Sequence, residues 1–129
     1  MANMELRYAL SDDKSSMSIE LRDKDANNPL GHIILDASEL ESVIRNLGKV
    51  RSGMAEPVAP ELDPMSRIET EMYPAWKVPD THNSPHPGVM LCLRHPGLGW
   101  LGFFLDRDRA LLIGDALEKY SPPPLEPAP

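Results

Sequence analysis

The chain has one cysteine, no cluster of basic residues and no apolar stretch long enough to span a bilayer. Cys92 alone cannot close an internal disulfide, so a reducing compartment is expected rather than a secretory one. The longest strongly apolar run, Leu98 to Leu105, is eight residues with two glycines inside it, whereas a spanning helix needs ~20. Met1-Ala2-Asn3-Met4-Glu5 has neither a cationic start nor a long apolar segment. These features give the expectation of a cytoplasmic chain without a membrane partner. Lys and Arg number 13 against 20 Asp and Glu, a net charge of -7, and acids outnumber bases in both halves. Phosphate recognition relies on a cationic surface that releases counterions, so nucleic acid is not an expected partner. No glycine-rich phosphate loop and no serine elbow occur.

What the chain has in excess is proline, 14 of 129 residues, and its placement divides the sequence. Met4, Leu6, Tyr8 and Leu10 alternate with Glu5, Arg7 and Ala9, the period of two that a half-buried strand requires. Met17, Ile19 and Leu21 alternate likewise after the polar turn at 11–16, and His32 to Leu35 forms a third short strand after an Asp- and Asn-rich loop at 23–29. Asp36 and Glu39 form the D-x-x-E pattern that satisfies orphan amides at a helix start. Leu40, Val43, Ile44 and Leu47 then mark one helical stripe, with Gly48 or Gly53 as its stop.

Residues 51–71 carry Pro57, Pro60 and Pro64 and read as a linker. Alternation resumes over Met72–Val78, where Pro74 confines the strand to an edge or bulge. Val89–Arg94 and Trp100–Leu105 follow as strands around a His95-Pro96-Gly97 turn. Asp106 closes the second of them, and Ala110, Ile113, Leu117 and Tyr120 mark a helix ending before Pro122.

Residues 17–22 set over 89–94, and 33–50 over 103–120, give identities at Leu21, Arg22, Leu35, Asp36, Leu47 and Lys49. The spacing predicts two β-β-β-α repeats, 1–50 and 72–120, within one α+β domain spanning 1–121, followed by a proline-rich tail at 122–129. One such unit is marginal on surface-to-volume grounds. The expected assembly is a largely antiparallel six-stranded sheet or half-barrel with both helices on one face.

Candidate chemistry is sparse. His82, His86, Cys92 and His95 invite a metal or thiol-dependent enzyme, but Pro85 and Pro87 prevent His82 and His86 from sharing a helical face. Alternation sets Cys92 and His95 on opposite sides of their strand. Loop histidines and a packed thiol account for the pattern, and no metal, cofactor or catalytic residue is assigned. The paired acids at 12–13, 23 and 25, and 106 and 108 sit at turns and helix starts, where they cap amides. Arg22 and Arg94 occupy equivalent repeat positions, and Tyr73, Trp76, Trp100, Phe103 and Phe104 all lie in the second repeat. Aromatics and arginine concentrate where proteins meet partners. The expected partner surface comprises Arg22, Ile34, Arg94, Trp100 and Phe104, and the expected function is a non-enzymatic interaction or assembly module that pairs with a second copy or another protein. The charge of -7 also suggests an acidic regulator or inhibitor engaging a basic protein, by salt-sensitive binding.

Overall fold

The computed structural model describes residues 3–25, 28–125 and 127. Residues 26–27 of the loop expected at 23–29 and residues 126, 128 and 129 of the tail lie outside them. The chain divides into two compact units, Met1–Arg67 and Ile68–Pro129. Each is α+β: three antiparallel strands followed by a helix. No helix among the described residues is long and apolar enough to cross a membrane.

In the first unit β1 (Met4–Leu10), β2 (Ser16–Asp23) and β3 (Asn28–Asp36) form a meander. The register sets Leu6 opposite Leu21, Tyr8 opposite Ile19 and Leu10 opposite Met17, and it carries Ile19 and Met17 on to Ile33 and Leu35. Because side chains alternate between faces, one face is apolar from edge to edge. The other carries Glu5, Arg7, Ser18, Glu20, Arg22 and His32. A register shift at Leu21/Arg22 brings Pro29 opposite Arg22, so β3 starts earlier than the expected His32. The bulge absorbs the residue that proline would otherwise misplace.

The β1–β2 turn is closed by Asp13. The Ser15 hydroxyl and amide and the Ser11 hydroxyl all donate to Asp13 Oδ1. Led by the Ser15 hydroxyl, these donors hold the carboxyl at about 2, below its ordinary 3.8. A depressed carboxylate stabilises the fold above its unfolded value and loses that contribution as pH falls through its folded one. An NMR titration should therefore place the Asp13 midpoint near 2, and Asp13→Asn should flatten the dependence of stability on pH between those two values. A midpoint at the ordinary value would contradict the geometry.

Asp36 caps α1 (Ala37–Ser52) with the full capping box: its side chain accepts from the Glu39 amide and Glu39 accepts from the Asp36 amide. Gly53 ends the helix. Leu40 lies in a shallow depression with Leu10, Met17 and Leu35. Leu35, 7% exposed, is the buried hydrophobic residue of the described chain. Leu47 and Val50, further along α1, are exposed, so only the start of the helix covers the sheet.

In the second unit β4 (Trp76–Lys77), β5 (Val89–His95) and β6 (Gly99–Leu105) form another meander, followed by α2 (Arg107–Tyr120). The strand expected over Met72–Val78 shrinks to two residues. Tyr73 takes a left-handed backbone, φ 51, Pro74 follows it, and neither geometry continues a ladder. Asp106 caps α2 by accepting the Arg109 amide, and the Arg109 guanidinium pairs with the same carboxylate. Here N3 is arginine rather than glutamate, so a salt bridge stands where α1 has the second half of its box.

The two sheets are separate, which corrects the expectation of one six-stranded sheet or half-barrel. The strands that sequence order would bring together are β3 and β4. Pro29 stands in the first, and the second is cut to two residues between Pro74 and Pro79. Proline supplies no ladder donor, so the junction between the meanders is the place least able to pair.

Candidate interaction surface

The β5–β6 register sets Met90 opposite Phe104, Cys92 opposite Gly102 and Arg94 opposite Trp100. These residues share one face, which Lys77 joins from β4 through its pairing with Cys92. Val89, Leu91, Leu93, Leu101, Phe103 and Leu105 make up the other. The equivalent of the first face in the first unit is the charged one, where Ile34 and Arg22 lie. Pair for pair, Ser18/Ile34, Glu20/His32 and Arg22/Pro29 stand where the second unit has Met90/Phe104, Cys92/Gly102 and Arg94/Trp100, so Glu20 and His32 give way to uncharged residues while Arg94 and Lys77 are the charged ones. A sheet whose strands are apolar on both faces is the kind normally covered on both sides.

It is not covered within its own unit. Trp100 is 56% exposed and Phe104 47%. On the other face, Phe103 is half exposed. The start of α2 lies near β5, where Arg107, Ala110 and Leu111 share a depression with Pro87, Gly88 and Val89. Further along, Ile113, Ala116, Leu117 and Tyr120 line a depression with Ser121 alone. The total accessible surface is 12019 Å². Two compact units of this combined mass would expose roughly 8,000 Å² even when counted separately.

Gly88 makes room for the Phe104 ring. A Cβ there would lie 2.6 Å from Phe104 Cζ and 2.5 Å from the Leu105 carbonyl oxygen. Thr81 Oγ1 donates to the Gly88 carbonyl at 2.7 Å and so ties the loop before β5 to the same corner.

The five residues expected to form a partner surface divide between the units. Arg22 and Ile34 lie on the polar face of the first sheet, where the Arg22 guanidinium pairs with Glu20. Arg94, Trp100 and Phe104 share a face of the second sheet, with Arg94 and Trp100 directly paired. Met90, Cys92 and Gly102 belong to that face and were not among the five. Counting positions across the short β5–β6 turn would have found them, because alternation carries across a hairpin once one pair is fixed.

Cys92 and His95 are on opposite faces, as alternation requires. His95 Nδ1 accepts the Gly97 and Leu98 amides, both at 3.0 Å, and Nε2 lies 3.4 Å from Glu71 Oε1. His95 therefore closes a turn and meets the linker. The amides of His82 and His86 donate to Asp80 and Ser84, which places both residues in local turns. Among the described residues no three His, Cys, Asp or Glu side chains form a group able to hold a metal ion.

Comparison of the chain with protein-family models, curated proteins and solved structures gives no match.

Proposed function

We propose that this chain is a non-enzymatic assembly module that forms a homodimer through the face of the second sheet bearing Arg94, Trp100 and Phe104. The observation that carries this reading is the asymmetry between the units. Equivalent face pairs are Ser18/Ile34, Glu20/His32 and Arg22/Pro29 in the first and Met90/Phe104, Cys92/Gly102 and Arg94/Trp100 in the second, so the second face is the more apolar and aromatic although the strand order is alike. Setting Met, Cys, Trp and Phe where the other unit has Ser, Glu, Pro and Ile makes a face suited to contact rather than to solubility. Arg94 beside Trp100 adds a cation able to stack or to pair with a carboxylate of an acidic partner surface, and a chain of net charge -7 offers such carboxylates.

Trp76→Phe leaves Trp100 as the only tryptophan, so its emission reports on this face. The expected result is a dimer by sedimentation, with Trp100 emission shifting to the red as dilution drives dissociation. A monomer at every concentration, with emission unchanged by dilution, would overturn the proposal.

A further inference from the structure

Four strands stand at sheet edges, and three carry devices that discourage pairing. β1 has Glu5 and Arg7, β3 has Pro29 beside a bulge, and β4 is two residues long between Pro74 and Pro79. β6 has none of these: Gly99-Trp100-Leu101-Gly102-Phe103-Phe104-Leu105 contains no charge and no proline. Natural sheets blunt such an edge or fill it.

The direction of its free groups follows from one hydrogen bond. The Arg94 amide donates to the Ala75 carbonyl at 2.9 Å, so Arg94 turns its backbone groups toward β4. In an antiparallel ladder these groups point alternately to either side. Leu93 therefore bonds toward β6, and Trp100, Gly102 and Phe104, opposite Arg94, Cys92 and Met90, present their N–H and C=O groups at the open edge.

We infer that β6 pairs antiparallel with β6 of a second copy, about a two-fold axis through Gly102. This rests on the assembly reading above and sets its contact at the β6 edge of that face: the two faces run on into one, with Trp100 and Phe104 packed across the seam. A two-fold pair must be centred on a residue whose groups face outward, and centring on Gly102 engages all three. Gly102 then meets its own counterpart, and Trp100 meets Phe104 of the second copy twice over. Cross-strand aromatic pairs of this kind stabilise sheets. The strand is uncharged, which suits self-association of an acidic chain because no like charges meet along it. Trp100, Phe103 and Phe104 are each about half exposed, leaving roughly 100 Å² apiece on aromatics of this size.

The test uses the full chain with Cys92→Ser, which removes the thiol opposite Gly102. Gly102→Cys in this background should form a disulfide-linked dimer on mild oxidation, because residues exchanging both hydrogen bonds stand about 5.5 Å apart between Cα atoms. Trp100→Cys in the same background should not, since its own counterpart lies several residues away along the strand. In sedimentation, Gly102→Pro should make the chain monomeric while its far-ultraviolet circular dichroism stays unchanged. A dimer that buries Trp100 but does not cross-link through residue 102, or that cross-links equally through 100, would overturn this register and leave the assembly reading standing. A monomeric parent chain would overturn both.

Discussion

Leu35→Ala is expected to destabilise the first unit by about 2–3 kcal/mol, in the lower part of the range for truncating a buried leucine. Leu35 stands at the end of β3 opposite Met17 and shares a depression with Leu10 and Leu40. It is where sheet and helix meet, and its 7% exposure means that truncation leaves a void instead of admitting water freely. Its repeat equivalent, Leu105, is only partly buried, so Leu105→Ala should cost about half as much on area grounds. Urea unfolding of the full chain, followed by circular dichroism, distinguishes the two. Equal losses, or a loss near zero at Leu35, would show that the first unit is not organised around this residue.

Gly88→Ala is expected to cost about 1–3 kcal/mol, the usual penalty for forcing atoms into occupied space. The added Cβ would meet the Leu105 carbonyl oxygen at 2.5 Å and the Phe104 ring at 2.6 Å. The ring could swing aside, but the carbonyl belongs to β6 and cannot move without disturbing its pairing with β5. Thr81 holds Gly88 from the loop side, so the glycine itself is not free to retreat. Gly31→Ala is the control: a Cβ there meets nothing within 4 Å, and its unfolding midpoint should stay near that of the parent chain. Gly88→Ala should also weaken dimer formation, because Phe104 is displaced from the proposed contact face.

Most strands and both helices were legible from local rules. Alternation locates β1, β2 and β5, a short apolar run locates β6, and Asp36 with Glu39 marks the start of α1, because side-chain period and amide capping are decided within a few residues. β4 was overread because the pattern Met72, Trp76 and Val78 resembles a strand, while the left-handed turn at Tyr73 leaves no trace in residue type. The sheet topology was misjudged for a different reason. Pairing between meanders depends on distant edges, and proline at both candidate edges argued against it more strongly than the repeat argued for it. The candidate surface was half legible. Trp100, Phe104 and Arg94 stood out by chemistry, whereas Met90, Cys92 and Gly102 join them only through register. Arg22 enters by repeat equivalence with Arg94 and Ile34 as an apolar residue on a sheet face expected to be left bare by the helices; neither argument places them on one surface with Trp100.

Amide hydrogen exchange along β6 reads the edge pairing residue by residue. Leu101, Phe103 and Leu105 direct their amides toward β5, while Trp100, Gly102 and Phe104 direct theirs to the edge. All six should be protected at concentrations where the chain is dimeric, and dilution should release Trp100, Gly102 and Phe104 first. Fast exchange at those three positions at every concentration, alternating with protection at the other three, would show an edge that nothing fills and would contradict it.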